Sequence, residues 1–308
     1  MKTAFLFSGQ GSQYPGMMSE LYKNEKLAKK VFENADRTLE RSISDLCFNG
    51  SQDELNLTHN TQPCVLACDL AVAAALRSHG VEAAAAAGFS LGEYAALVHA
   101  EAMSEEDAFR IIQIRADAMQ EAVPAGIGAM AAVKSSDLEM LEEICKDVKS
   151  YVIPANYNSP VQTVISGTVE GVENACKKLE EKGIRTIRLP VSAPFHCELM
   201  EPAARAIERE FMSVLFYNTK MPVYMNVDAQ PHQNALDFSD LLVRQAMSPV
   251  RWQETIENMY KDGIDTFIEC GPGKTLSGFV KKTLKDVLVY HVEDSKTLDA
   301  VLAEISGL

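Results

Sequence analysis

The feature that most constrains this chain is the passage from residue 83 to residue 100, AAAAAGFSLGEYAALVHA. Alanine is the best helix former, so propensity alone makes residues 83–87 helical. We predict a buried strand instead, because a narrow alanine run fits between packed helices and because Gly88, Ser90 and Gly92 follow it as Gly-x-Ser-x-Gly. In a strand that turns sharply into a helix at this motif, the glycines avoid clashes across the turn and the serine stands at the apex.

The predicted turn makes Ser90 a candidate nucleophile. It would stand exposed at the carboxyl end of a central strand, and the N-terminus of the next helix would favour negative charge beside it. This arrangement is typical of acyl-transfer enzymes. The motif alone also fits a serine in an ordinary strand-to-helix turn, so its surroundings must decide.

The rest of the chain predicts an α/β fold, because short apolar runs alternate with longer amphipathic segments. We expect a large α/β-hydrolase-like domain with a mainly parallel sheet. Its predicted strands include TAFLFSG at the start, MPVYMNV at 221–227, DTFIECGPG at 265–273 and a short strand before the last helix. Its predicted helices cover residues 61–79, 105–121, 198–213, 237–247, 253–262 and 274–285, with Ser104 capping the second.

Residues 126–192 show a different order of predicted strands and helices. The pattern there predicts the order βαββαβ, which is the ferredoxin-like unit. Since this unit closes on itself, we expect it to be a small domain inserted into the larger one. The predicted boundaries are therefore 1–125 and 193–308 for the large domain and 126–192 for the insert.

Composition and charge exclude several function classes. The net charge of −14 argues against nonspecific binding of nucleic acid or an anionic membrane. No apolar run reaches about 18 residues and Met1 leads straight into a strand pattern, so we expect a soluble, cytoplasmic protein. Seven cysteines fit reduced thiols better than disulfides. Cys64 and Cys68 lie one helical turn apart, but nothing near them completes a metal site.

A serine hydroxyl needs a base, and the chain has six histidines. His196 is our candidate, since Pro194 stiffens its approach and Phe195 gives it an apolar wall. His99 lies about 13 Å along the helix that follows Ser90 and is too far away. A structural role for His196 stays open. The other histidines are His59, a weak rival in a loop, and His79, His232 and His291, which are expected at the surface or in loops.

Arg115 is the third candidate. In the helix over 105–121 it shares a face with Ile111, Ala118 and Met119, so its guanidinium is carried on the apolar side. A charge there needs a partner, and the planar fork of arginine suits a carboxylate. That carboxylate belongs either to a substrate or to an Asp or Glu of the chain in a structural ion pair.

Seven segments in order resemble the malonyl-CoA:acyl carrier protein transacylase family, over residues 3 to about 282. They are FSGQGSQYPGM, GFSLGEYAAL, IRADAMQ, PANYNSP, SAPFHCELM, LVRQAMSPVRW and ECGPGKTLSGFVKK. Each segment is a weak signal alone, whereas seven in the same order are specific.

The resemblance implies a two-step transfer that supplies fatty acid synthesis. Ser90 takes the malonyl group from malonyl-CoA as a covalent ester and passes it to the phosphopantetheine thiol of acyl carrier protein, with no permanently bound cofactor. His196 acts as general base and then as general acid. The main-chain carbonyl of Gln245 orients its imidazole, and Arg115 binds the malonyl carboxylate.

The resemblance also places Gln10 and Leu91 at the positions whose main-chain N–H groups form the oxyanion hole. Two residues depart from the family pattern. Phe89 replaces the usual His before the nucleophile, so we expect slower acylation, and Ser8 replaces a Pro, which should matter little. In related acyltransferases that take a methyl-branched malonyl group the position of Phe195 tends to be small, so its bulk should crowd an α-methyl group and favour malonyl over methylmalonyl by about 1 to 3 kcal/mol.

Acyl carrier proteins of this family's pathway are acidic, as is this chain, so docking needs a local basic patch. Our candidates are Lys274, Lys281, Lys282, Arg185 and Arg188. Other functions remain open: a discrete acyltransferase serving a polyketide carrier protein, a serine hydrolase, or a non-catalytic binding module. A hydrolase is disfavoured because no convincing acid member lies between Ser90 and His196 and because Arg115 would have no role.

Overall fold

The computed structural model describes residues 1–124, 126–191 and 193–306. Within them the strands are, in chain order, β1 (Thr3–Phe7), β2 (Ala85–Gly88), β3 (Gly128–Lys134), β4 (Val152–Ser159), β5 (Gln162–Thr168), β6 (Arg185–Arg188), β7 (Val223–Tyr224), β8 (Pro231–His232), β9 (Thr266–Cys270) and β10 (Leu288–Val292). No helix among these residues is both long enough and apolar enough to cross a membrane.

The helices alternate with the strands over most of the chain. They are α1 (Ser19–Asn24), α2 (Lys26–Leu39), α3 (Ile43–Asn49), α4 (Gln52–Asn56), α5 (Thr58–Ser78), α6 (Gly92–His99), α7 (Glu105–Glu121), α8 (Leu138–Asp147), α9 (Val169–Glu181), α10 (Glu201–Phe211), α11 (Ala235–Met247), α12 (Trp252–Lys261), α13 (Thr275–Thr283) and α14 (Ser295–Ser306). A 3₁₀ turn, Glu198–Met200, precedes α10.

The larger sheet has the strand order β10-β9-β1-β2-β7-β8. Its neighbours pair in parallel except β7 and β8. Every residue of β1, β2 and β9 is buried, as expected for central strands of a parallel sheet with helices on both faces. The alanine run thus forms a strand against its helical propensity, because it lies between β1 and β7, and the predicted α/β class is confirmed.

The smaller sheet is antiparallel, with the order β4-β5-β3-β6. Its elements follow one another as β3-α8-β4-β5-α9-β6, which is the predicted ferredoxin-like order. β4 also reaches the larger unit, since the main chain of Val250 exchanges hydrogen bonds with Ala155 and Tyr157. The domain boundaries stay a prediction, and two of their residues, Ala125 and Ser192, lie outside the described part of the chain.

Several predicted bounds differ from the structure. α5 begins at Thr58, three residues early, so Pro63 lies inside the helix. We predicted a strand over 221–227, but the strand spans only Val223–Tyr224. The chain then leaves the sheet, and the side chain of Asn226 contacts Gly88 and Ser90. A further apolar cluster, which includes Met119, Met130 and Phe195, joins α7 to the smaller sheet and forms one wall of the site described next.

Candidate active site

The turn between β2 and α6 has the geometry predicted for a nucleophile elbow. Ser90 adopts a left-handed φ of 55°. A Cβ added to Gly88 would lie 1.9 Å from the carbonyl carbon of Gly92, and one added to Gly92 would lie 2.4 Å from the oxygen of Phe7. Both positions therefore require glycine. We expected Ser90 to be exposed to solvent, but it is only 8% exposed, because it faces a cavity.

Asn226 holds this elbow from the neighbouring strand. Its Oδ1 accepts the N–H of Ser90 at 2.8 Å, and its Nδ2 donates to the oxygen of Gly88 at 2.7 Å. It lies two residues after β7, which pairs with β2. The sequence analysis missed this residue, and its only sequence signal is a lone polar side chain within MPVYMNV.

His196 lies at the elbow as predicted. Its Nε2 is 2.7 Å from Ser90 Oγ, and its Nδ1 is 3.0 Å from the main-chain oxygen of Gln245. A carbonyl can only accept, so Nδ1 carries the hydrogen and Nε2 is free to accept the serine proton. Burial, aided by the charge of Arg115, lowers the pKa of His196 to about 4, against weaker opposing hydrogen bonds. The imidazole is therefore neutral at neutral pH.

Arg115 is brought to the same hydroxyl. One guanidinium nitrogen donates to Ser90 Oγ at 3.0 Å and to Gln245 Oε1 at 2.9 Å, and another donates to Gln62 Oε1 at 2.6 Å. The side chain is 1% exposed and lies over the ring of Tyr94. Among the described residues no carboxylate forms a salt bridge with it, which leaves this buried cation with neutral oxygen partners only.

A network of buried amides and one carboxylate supports these groups. Gln245 Nε2 donates to the oxygen of Ser90 and to Glu93 Oε2, both at 2.6 Å. Glu93 Oε1 accepts the N–H of Asn226. The sequence analysis considered only the main-chain carbonyl of Gln245 and did not single out Glu93 or Gln62. Glu93 is a charged residue directly before the apolar run YAALV, which is the signal that could have found it, whereas Gln62 follows four polar residues and carries no such signal.

Gln10 and Leu91 lie on the same cavity, whose volume is about 240 Å³. Leu91 directly precedes α6, so its main-chain N–H belongs to the open end of that helix. The side chain of Gln10 donates to Thr58 Oγ1 at 3.2 Å, which ties its loop to α5. Among the described residues neither main-chain N–H donates to an intramolecular acceptor.

Two phenylalanines form the apolar surroundings. Phe89 packs against Trp252 and Phe279, with ring centroids 5.4 and 6.4 Å away. It also lies against Gly9, where an added Cβ would stand 2.7 Å from its ring. Phe195 is 7% exposed and lines the cavity beside His196. The site thus combines polar groups around Ser90 Oγ with apolar walls.

The remaining histidines are engaged elsewhere. His99 is buried against the rings of Phe5 and Phe7. His59, the weak rival, was wrongly predicted to lie in a loop: it belongs to the first turn of α5, where it contacts Asp117 and Arg41. The other three contact carboxylates outside the cavity: His79 with Glu25, His232 with Asp228 and Asp237, and His291 with Glu293.

The fold and site define a class of protein. A parallel sheet carrying a serine elbow, with histidine and arginine on one hydroxyl, is the arrangement of an acyltransferase. A family model for the acyl transferase domain matches residues 4–302, in agreement with that class.

Known proteins narrow this class. The malonyl CoA-acyl carrier protein transacylase of Bacillus subtilis (strain 168) is 44% identical over 305 residues, covering 98% of this chain and 96% of its own. The crystal structure of a malonyl CoA-acyl carrier protein transacylase from Clostridium perfringens matches with a TM-score of 0.96 at 41% identity, covering 100% of this chain and 98% of that one. The chain belongs to the malonyl CoA-acyl carrier protein transacylase family, as its seven motifs predicted.

A third match is a malonyl-transacylase solved in complex with a type II PKS acyl-carrier protein. Its TM-score is 0.95 at 37% identity, and the match covers 99% of this chain and 100% of that one. The family fold is therefore also present in an enzyme that binds a polyketide carrier.

Proposed function

We propose that this protein transfers malonyl groups from malonyl-CoA to the phosphopantetheine thiol of an acyl carrier protein, for fatty acid synthesis, through an ester on Ser90. The observation that carries the proposal is the meeting of two groups on one oxygen: His196 Nε2 lies 2.7 Å and Arg115 3.0 Å from Ser90 Oγ. A base and a site for a carboxylate thus converge on the nucleophile, which suits an acyl group with a free carboxylate.

The first half-reaction uses these groups in sequence. His196 Nε2 takes the proton of Ser90 as Oγ attacks the thioester carbonyl, and the main-chain N–H groups of Gln10 and Leu91 bind the oxyanion. The intermediate then expels the coenzyme A sulfur, which receives the proton from His196. The carbonyl of Gln245 holds the imidazole throughout. In the second half-reaction the carrier thiol attacks the ester and His196 again moves the proton.

Arg115 supplies selectivity for malonyl. Its present partners are the neutral oxygens of Gln62, Gln245 and Ser90, so an arriving carboxylate gains a charge-assisted contact that acetyl cannot make. Phe195 lines the same cavity and limits a branched acyl group. No cofactor is needed in this scheme, and the free state of all seven cysteines supports a reducing, cytoplasmic setting.

The carrier protein docks, we infer, on a basic patch beside the site. Three basic residues, Lys134, Lys282 and Arg185, lie close together. Burial lowers the pKa of Lys134, and the nearby charges of Lys282 and Arg185 lower it further. β3 and β6 pair Lys134 with Arg185, and α13 carries Lys281 and Lys282. Arg188 belongs to the patch less well, since its guanidinium lies 3.8 Å from Glu173. Lys274 stands at the start of α13.

A second candidate is the same chemistry directed to a polyketide carrier protein, and the structural match to an enzyme bound to such a carrier favours it. The two are separated by comparing kcat/KM for the fatty-acid carrier and any polyketide carrier encoded by the same organism. A preference of at least about tenfold, or 1.4 kcal/mol, would decide between them.

The central test is intact-protein mass spectrometry after brief mixing with malonyl-CoA. We expect the wild type to gain one malonyl group, Ser90→Ala to gain none, and Arg115→Ala to be acylated much more slowly. A folded wild type that gains no malonyl group would refute the proposed donor, and acetyl-CoA and methylmalonyl-CoA would then be tried.

A further inference from the structure

Glu93 is a buried carboxyl group with no assigned part in the reaction. It is the second residue of α6, directly after the elbow, and none of its surface is exposed. In the described chain no lysine, arginine or histidine lies within salt-bridge distance of it. A buried charge is costly unless it is paired or well hydrogen-bonded, so an ionised Glu93 requires hydrogen-bond donors around it.

The groups that face Glu93 are both donors. The main-chain N–H of Asn226 points at Oε1, and the amide nitrogen of Gln245 lies 2.6 Å from Oε2. The orientation of the Gln245 amide follows from its other neighbours: the guanidinium of Arg115 can only donate, so Oε1 must face it, and Nε2 must face the oxygen of Ser90.

An ionised carboxylate satisfies both donors in full. Its two oxygens accept from the two sides, whereas a glutamine sets an N–H against one donor and a protonated glutamate has less acceptor capacity on one oxygen. Burial raises the pKa of Glu93 to about 8, and Asp228 adds slightly, while the Asn226 and Gln245 donors and the charge of Arg115 lower it. Its other near neighbour, Tyr94, is a phenol whose pKa burial raises still further from neutral pH.

We propose that Glu93 is a positioning residue that sets the preference for acyl groups bearing a free carboxylate. Its carboxylate fixes the side-chain amide of Gln245, whose oxygen in turn holds Arg115 over Ser90. This inference rests on the proposed function, because it assumes that Arg115 receives the malonyl carboxylate. It differs from the orienting role of the Gln245 carbonyl, since that contact uses the main chain and does not depend on Glu93.

The test compares acylation of Ser90 by malonyl-CoA and acetyl-CoA in wild type and Glu93→Gln, at about pH 9, where the wild-type carboxyl is mostly ionised. We expect kcat/KM for malonyl-CoA to fall by at least about tenfold, mainly through KM, since a hydrogen bond to a charged group is disturbed. The rate with acetyl-CoA should change by less than about twofold. The selectivity ratio therefore falls, which general damage to the fold would not cause.

Two further variants sharpen the result. Glu269→Gln is a matched control: its carboxyl is almost as buried and lines the same cavity, but it accepts the N–H groups of Leu276 and Ser277 and not the Gln245 amide, so the selectivity ratio should stay unchanged. Gln245→Leu removes the side-chain amide that links Glu93 to Arg115. Adding Glu93→Gln to that background should then cost less than about twofold, because coupled residues are non-additive.

The outcomes separate the two proposals. A wild type that forms no malonyl ester refutes the proposed function and with it this inference. A wild type that works normally, beside a folded Glu93→Gln variant with an unchanged ratio or with both rates lowered equally, refutes only the inference. If Glu93→Gln does not fold, the wild-type selectivity ratio decides, since it must fall as the pH drops through about 8, where the Glu93 carboxylate takes up a proton.

Discussion

In the proposed mechanism, His196 sets the acid limb of the pH–rate profile for acylation. Because burial lowers the pKa of this imidazole from its ordinary 6.5 to about 4, the base form should persist far into acid. At pH 5.5 a histidine of ordinary pKa would be only about 9% neutral, whereas one of pKa about 4 would be about 97% neutral. The structure therefore predicts about a tenfold higher kcat/KM at pH 5.5 than an unperturbed base would allow.

The assay is rapid-quench acylation of Ser90 by malonyl-CoA between about pH 5 and 9, read by intact mass, under conditions where kcat/KM is obtained. The free enzyme's groups govern that parameter. Circular dichroism at each pH, and recovery of the full rate after return to pH 7.5, guard against acid unfolding. The range stops near pH 5 so that the malonyl carboxylate stays ionised.

Two other groups can produce a limb in this range. One is Glu269, which lines the same cavity and whose pKa burial raises to about 6. The other is Glu93, which, with a pKa raised to about 8, loses its carboxylate form as the pH falls below that value. A limb near pH 8 that is absent in Glu93→Gln therefore belongs to Glu93 and leaves the prediction for His196 intact. A limb at pH 6 to 7 that persists in both Glu93→Gln and Glu269→Gln would show that the imidazole is not desolvated as the structure requires, and the reasoning would be wrong.

Four more variants test individual contacts. Phe195→Ala should lower the malonyl-over-methylmalonyl ratio of kcat/KM by about tenfold or more, and an unchanged ratio would remove the steric role. Phe89→His should speed acylation by adding a polar neighbour to Ser90; equal rates would show that the departure from the family pattern is neutral. Lys282→Glu should raise KM for the carrier protein but not the rate of malonyl-CoA acylation, and a KM that stays constant at low salt would count against the patch. Asp69→Asn should stabilise the protein at pH 8 in urea unfolding. Burial raises the pKa of the Asp69 carboxyl, so folding takes up a proton and wild-type stability falls by about 1.4 kcal/mol for each pH unit between its unfolded and folded pKa. The advantage of the variant should shrink towards pH 4, and a constant advantage would contradict this sign.

The sequence predicted those parts of the site that depend on local chain geometry. Gly88 and Gly92 are needed because the main chain passes within van der Waals contact at each, a requirement that the motif itself encodes. Arg115 was found because helical periodicity puts a charge on an apolar face. The strand in the alanine run was predicted against the high helix propensity of alanine, because the nucleophile-elbow motif that follows it requires a preceding strand.

The parts that escaped prediction depend on contacts between distant segments. Asn226 meets Ser90 across 136 positions in sequence, and Gln245 meets Glu93 across 152. Neither spacing has a local signature, since the pairs arise only when β7 joins β2 and α11 packs beneath the elbow. The short length of β7 was not predicted for the same reason. The chain leaves the sheet after Tyr224, and the side chain of Asn226 then accepts the main-chain N–H of Ser90.

The contact between Arg115 and Ser90 makes a last prediction about how selectivity and catalysis are linked. In the free site the guanidinium donates to Oγ at 3.0 Å while His196 waits 2.7 Å away to receive the serine proton. A donor hydrogen-bonded to Oγ draws electron density from that oxygen and lowers its nucleophilicity. A malonyl carboxylate draws that donor to itself, whereas acetyl leaves it in place, so acetyl-CoA should show a lower kcat of acylation as well as a higher KM. Single-turnover rates at saturating donor measure this directly. In Arg115→Ala the kcat difference between the two donors should shrink to within about twofold. If acetyl-CoA instead reached the malonyl rate at saturation in the wild type, Arg115 would act in binding alone, and its contact with Ser90 would have no part in the chemistry.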